Sequence, residues 1–177
     1  MINMINVQKA KPGDAEQIQK VLYKTWLDTY PNKEFGITVE DIEERFRNRI
    51  SKKGVEDVRD RIRNMDKNSS FLVAKENELV VGVCKIRRGE DSNQLGAIYV
   101  LPTYQCKGIG YMLWEESFKF FDIRSDIKVE VATYNEKAIS FYEKLGFIDT
   151  GKRITDDNFN FPSGNTIPEM EMIFKRK

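Results

Sequence analysis

The spacing of apolar residues changes along the chain, from helical periods before residue 70 to strand-like runs after it. Ile5-Asn6-Val7-Gln8-Lys9-Ala10 alternates as a short strand, and Pro12-Gly13 closes it. Asp14 is placed to cap a helix whose apolar stripe is Ile18, Val21, Leu22, Trp26 and Leu27, with Pro31 ending it. Thr38, followed by a glutamate in the next turn, reads as the capping box of a second helix. A third helical run, Val55 to Met65, is so charged that it belongs on the surface.

From Ser70 the elements are strands with two helices between them. Phe71-Leu72-Val73-Ala74 and Glu78 to Ile86 form a hairpin around Lys75-Glu76-Asn77. Leu95 to Val100 is a strand ended by Leu101-Pro102, and Gly108 to Asp122 is a helix. Lys128 to Ala132 is a strand, Asn135 to Leu145 a helix, and Gly146-Phe147-Ile148 opens a further strand. Glu171 to Phe174 supplies the last, after a polar loop at residues 156–168. With no repeat, low-complexity tract or linker, residues 1–177 read as a single α/β domain.

Composition narrows the function. Lys plus Arg (29) and Asp plus Glu (28) nearly cancel, which favours neither nucleic acid nor a membrane surface as partner. No apolar run reaches the roughly 18 residues of a membrane span, and the first residues lack signal-peptide character. Two cysteines, Cys84 and Cys106, make neither a disulfide framework nor a zinc site, so no metal is expected and a reducing, cytoplasmic setting is. The absence of histidine excludes imidazole chemistry. Proton transfer here uses carboxylate, tyrosine, lysine, thiol, water or a chain terminus.

Two segments carry candidate chemistry. In Tyr99-Val100-Leu101-Pro102-Thr103-Tyr104-Gln105-Cys106-Lys107-Gly108-Ile109-Gly110 a strand runs through a short loop into a helix. Unpaired N–H groups and the helix dipole attract an anion there, and glycine lets a phosphate approach the backbone. The same turn is also a common packing device. It has neither the Gly-Lys-Ser/Thr of a nucleoside-triphosphate loop nor the full dinucleotide spacing. Lys107 is either a phosphate contact or a solvated loop lysine. In the second segment, Val129 to Phe147, Asn135 stands where a strand becomes a helix, and capping alone would explain it. Phe141 and Leu145 read as core, with Tyr142 one step around at the edge of their stripe.

Together these segments resemble the GCN5-related N-acetyltransferase (GNAT) superfamily. The match is Gln105-x-x-Gly108-x-Gly110 after Tyr99-Val100-x-Pro102, then Asn135-x-x-Ala138-x-x-Phe141-Tyr142-x-x-x-Gly146-Phe147. The resemblance implies a splayed, mostly antiparallel sheet of about seven strands flanked by helices. It implies acetyl-CoA between the strand at Leu95 to Val100 and that at Ile127 to Thr133. Backbone groups of Ile98, Tyr99 and Val100 would pair with the pantetheine arm, and a N–H near Val100 would meet the oxyanion. The N–H groups of Gln105, Cys106, Lys107, Gly108, Ile109 and Gly110 would hold the pyrophosphate. Asn135 would touch the cofactor, and Tyr142 would donate a proton to the leaving thiolate.

Many relatives carry a glutamate base just upstream of the Tyr-Val-x-Pro segment, where this chain has Gln94. Glu130 is then a candidate base, with a solvated strand residue or relayed water as the alternatives. Trp26, Tyr30 and Phe35, around Pro31, fall where the family's acceptor cleft lies, and Asp157 with Asp156, Phe159 and Phe161 could complete a pocket for a cationic amine. A small primary amine, a polyamine among the choices, is the leading acceptor. A protein N-terminus or lysine is the second reading and a non-catalytic acyl-CoA sensor the third. Homodimers are common in the family.

Overall fold

The computed structural model describes residues 4–122, 124–155 and 161–176. Most of its helices begin where a side chain supplies an oxygen to the first unpaired N–H groups. Thr38 accepts from the Asp41 N–H at 3.1 Å and starts α2 (Val39–Arg47). Its capping-box partner is Asp41, whose carboxylate accepts from the Thr38 N–H at 2.8 Å, rather than the expected glutamate. Ser51 caps α3 (Lys52–Arg63) and Asn135 caps α5 (Glu136–Lys144) in the same way.

Two starts differ. Asp14 makes no side-chain cap for α1 (Ala15–Thr29), contrary to the expectation from sequence. It closes the preceding 3-10 turn by accepting from the Lys11 N–H at 2.8 Å, and it forms a buried ion pair with Lys75 at 2.6 Å. α4 (Ile109–Phe120) begins at Gly108 with φ +79 and no side-chain cap. Its first N–H groups are therefore left for some other acceptor.

One seven-stranded sheet runs β1-β2-β3-β4-β5-β7-β6, with β1 Ile5–Lys9, β2 Ser69–Glu76, β3 Leu79–Arg87, β4 Asn93–Val100, β5 Ile127–Ala132, β6 Ile148–Thr155 and β7 Pro168–Phe174. Every pairing is antiparallel except β4 with β5. That parallel pair is short, holding register only at Asn93↔Ile127 and Gln94↔Lys128. Asn93 is fully buried and fastens the closed end, with its amide donating to the Asp122 and Ser125 carbonyls at 3.0 and 3.1 Å. Beyond it the β3–β4 register shifts between Cys84/Ile98 and Ile86/Leu95, a bulge at Gly96 and Ala97. A Cβ on Gly96 would meet the Lys85 carbonyl at 2.7 Å, so only glycine lets β3 approach this closely. Clamped at one end and bent by the bulge, β4 leaves β5 and the sheet splays.

Each face of the sheet carries its own core. α4 and α5 cover one face through Leu113, Trp114, Tyr142 and Phe147, packed on Val129, Val131, Met170 and Met172. α1 and α2 cover the other, where Trp26, Tyr30, Ile42 and Phe46 meet Ala132, Phe161 and Ile167. As its charge pattern implied, α3 buries little, with Val58 its one buried residue. No helix among the described residues is long and apolar enough to cross a membrane.

Candidate active site

The splay leaves the β5-facing edge of β4 open. The Leu101 N–H donates to the Val81 carbonyl on β3, so alternation turns the N–H and C=O groups of Ile98 and Val100 toward the gap. Two of these are engaged within the chain. The Ile98 N–H donates to the Tyr142 hydroxyl at 3.2 Å, and the Val100 carbonyl accepts from the Gln105 amide at 3.1 Å. The Ile98 carbonyl and the Val100 N–H share the same edge.

Tyr142 reaches this edge because α5 ends as it does. Its carbonyl accepts from the Phe147 N–H at 3.0 Å, and the Gly146 N–H donates to Glu143 at 2.9 Å, a Schellman closure with Gly146 at φ +97. Tyr142 is the one buried residue of α5, packed against Phe141 and Phe147 with ring centroids 5.3 and 5.5 Å away. The sequence stripe had favoured Phe141 and Leu145 for the interior, yet both are only partly buried. Burial pushes the Tyr142 phenol well above its usual pKa, with the Ile98 N–H opposing it weakly. The hydroxyl therefore stays protonated at neutral pH. Since it accepts from Ile98, its own proton can point at a further acceptor in the gap.

The turn at residues 105–110 lies at the same end of β4. Cys106 takes φ +59 and Gly108 φ +79, which turns the backbone toward the start of α4. A Cβ on Gly108 would meet nothing within 4 Å, so open space adjoins the uncapped helix start. Gly110 has another role, because a Cβ there would touch the Phe141 ring at 3.3 Å. It lets α4 and α5 close on each other. Lys107 lies exposed with its ammonium 4.8 Å from the Tyr104 ring centroid. A groove of about 460 Å³ lined by Lys24, Leu27, Asp28, Leu101, Pro102 and Thr103 adjoins this end of β4. The open strand edge, the uncapped helix start and the open space at Gly108 together suit an extended chain ending in a pyrophosphate, as coenzyme A does.

The opposite face gathers rings. Trp26 and Tyr30 pack at 4.4 Å, Phe35 stacks on Tyr134 at 5.2 Å, and the Tyr30 and Tyr99 hydroxyls lie 3.3 Å apart. Tyr134 donates to the Tyr30 carbonyl at 2.9 Å. Burial raises the pKa of all three tyrosines, and the negative charge of Glu169 raises each further. Residues 161–167 fold over this side. The Ser163 N–H donates to Asp41 at 2.9 Å, Asn165 donates to the Gly36 carbonyl at 2.8 Å, and Phe161 and Ile167 are buried among the rings. Burial opposes ionisation of Asp41, but the Thr38 and Ser163 N–H groups prevail and hold its carboxyl below the usual range.

The structure thus brings Ile98, Tyr99, Val100, Tyr142 and the turn at Gln105, Cys106, Lys107, Gly108, Ile109 and Gly110 to one end of the gap. Asn135 caps α5 through its Oδ1, leaving its amide NH₂ as the group a ligand could use. Trp26, Tyr30 and Phe35 meet on the opposite face. The structure does not bring Glu130 to Tyr142. It is exposed, pairs with Glu171, and alternates away from Val129 and Val131, which pack with Tyr142. Gln94 sits at the closed end of the gap, donating to Ser92 at 3.1 Å. Cys84 is core as expected, its thiol pushed up to about 12 by burial against a weaker pull from Ser117. Asp157, with Asp156 and Phe159, lies outside the described residues. Sequence reasoning gave Tyr134 no place on this face, and no motif marks it.

Known proteins share this family and fold. Residues 26–163 match the acetyltransferase (GNAT) domain. Among solved structures, the fold resembles PaiA N-acetyltransferase from Thermoplasma acidophilum in complex with coenzyme A, with 22% identity over 95% of this chain and 98% of that one and a TM-score of 0.69. It also resembles a GNAT-family acetyltransferase from Streptococcus pneumoniae, with 18% identity over 98% and 100% of the two chains and a TM-score of 0.69. A mutant spermidine N-acetyltransferase from Vibrio cholerae matches at 16% identity over 96% and 92%, with a TM-score of 0.66.

Proposed function

Because the chain belongs to the GNAT acetyltransferase family, and so is an acetyl-CoA-dependent N-acetyltransferase, we propose that it acetylates a primary amine of a small molecule. The observation that carries this choice is the docking of residues 161–167 onto residues 36–41. That segment covers the ring-lined face, where a peptide acceptor would need an open groove. The likeness to a protein named a spermidine N-acetyltransferase agrees with a polyamine as acceptor. In this reading one domain carries both sites.

Acetyl-CoA supplies a thioester whose carbonyl carbon is attacked and whose sulfur leaves. On this chain, residues 105–110 would hold its phosphates by backbone N–H groups, and the Asn135 amide would add a contact. The Ile98 carbonyl and Val100 N–H offer strand-like pairing, and the Val100 N–H is the donor closest in chain to a developing oxyanion. Tyr142 would donate its hydroxyl hydrogen to the sulfur. Its raised pKa keeps the hydroxyl protonated at neutral pH, so the hydrogen is in place for the developing charge on sulfur. The amine must arrive neutral, which costs roughly 4–5 kcal/mol for an alkylamine of pKa about 10.4 at pH 7. Holding both reactants across one gap offsets a cost of that size. Glu130, at the exposed margin of β5, would act only through water.

The test is product identification by mass after incubation with acetyl-CoA and a mixture of alkylamines, polyamines and peptides. Acetylated small amines are expected. Acetylated peptides with untouched small amines would replace this reading by the protein acetyltransferase one.

A further inference from the structure

We propose that Tyr104, tethered by Glu76, is the positioning residue that holds the turn at residues 105–110 in its phosphate-binding shape. The inference rests on the reading above that this turn takes the phosphates of acetyl-CoA, and it names what keeps the turn in place. Cys106 has φ +59 without being glycine, a left-handed backbone that a side chain disfavours. Gly108 follows in the same region at φ +79. A disfavoured conformation persists where the contacts around it fix it.

The two residues before Cys106 supply such contacts. Gln105 donates its side-chain amide to the Val100 carbonyl at 3.1 Å and ties the turn back to β4. Tyr104 ends the 3-10 turn Pro102–Tyr104, with its N–H donating to the Leu101 carbonyl at 2.8 Å. Its hydroxyl donates to Glu76 Oε2 at 2.7 Å, a short bond to a carboxylate of the stronger kind. Lys75, one residue earlier on β2, turns to Asp14 at the start of α1, so alternation sends Glu76 to the α4 side. Glu76 also pairs with Ile5 on β1 and Leu79 on β3. The tether therefore reaches past β3 to a strand fixed on both sides. The Tyr104 ring is half-buried against the core under α4, and the Lys107 ammonium lies 4.8 Å from its centroid. One side chain thus gathers the chain before Cys106 and the residue after it.

Calorimetric titrations with acetyl-CoA and with S-acetylpantetheine, which lacks the phosphates and the nucleoside, test the proposal. Wild type is expected to bind acetyl-CoA at least tenfold more tightly. In Tyr104→Phe, which keeps the ring and loses the bond, the acetyl-CoA Kd should rise about fivefold, while the S-acetylpantetheine Kd moves less than twofold. Glu76→Ala should lose as much, and the double variant no more than either, because each change breaks the same bond. Glu76→Gln keeps an acceptor and should stay within about twofold of wild type. A merely structural role would weaken both ligands alike. That outcome overturns the proposal, as does an unchanged acetyl-CoA Kd in Tyr104→Phe or additive losses in the double variant. A loss in Glu76→Gln as large as in Glu76→Ala overturns it too, since charge and not the bond would then be at work. Equal affinity of wild type for the two ligands would instead remove the phosphate reading of the turn, and the proposal with it.

Discussion

The two sides of the splayed sheet are built from different material. On the α4–α5 side the site is mostly backbone: the open edge of β4, the uncapped start of α4, and one phenol locked by a helix closure. On the α1–α2 side it is all side chains, drawn from α1, the segment before α2, β4 and the β5–α5 turn. A backbone site needs particular φ values, and glycine at fixed spacing announces them. A side-chain site needs only that distant residues meet, which nothing local records. In the proposed reading the first side would bind the cofactor, which a whole family shares, and the second would meet the acceptor.

The widest test of the comparison is pH. With Tyr142 held protonated and no base assigned among the described residues, the proton of the amine is expected to leave to solvent. The kcat/KM for an alkylamine should then rise about tenfold per unit between about pH 7 and 9. Tyr142, its pKa raised by burial, should add no falling limb in that window. A flat profile would mean that a group on the enzyme takes the proton, and the acceptor side would then do more than bind. Next in size is Tyr142→Phe, expected to lower kcat at least tenfold with the acetyl-CoA KM within about twofold, by steady-state kinetics. Unchanged turnover would leave the cofactor side as a binding platform alone.

The two motif glycines separate binding from packing within one side. Gly108→Ala strains a left-handed residue by about 1 kcal/mol beside open space, so the acetyl-CoA KM should rise several-fold. Gly110→Ala presses on the Phe141 ring and should cost about 1–3 kcal/mol of stability by thermal melting, with a smaller change in KM. Smallest is Glu130→Gln, expected to keep kcat within twofold because the side chain is exposed and faces away from Tyr142. A tenfold loss would restore it as the base.

What could be read in advance follows the same division. The seven strands and five helices of the described residues, and the turn at residues 105–110, lay in periodicity, caps and two short motifs. The depth of Tyr142 was misjudged, because burial of α5 depends on packing with Phe147 and Phe174 rather than on its own stripe. Asp14 looked like a cap and proved to be half of a buried pair with Lys75, sixty-one residues away in sequence. Gly110, read as room for phosphate, also gives room to the Phe141 ring, which no motif announces. Tyr134 had no local mark, since its place depends on stacking with Phe35 and donating to the Tyr30 carbonyl. In each case the missing information was a tertiary partner.

The most direct test of the central claim is thiol release from acetyl-CoA, followed with and without small primary amines. The account predicts release that depends on the amine, saturates with it, and falls at least tenfold in Tyr142→Phe. Release no greater than background across the amines, with acetyl-CoA still bound, would contradict it and leave a domain that binds the thioester without transferring it.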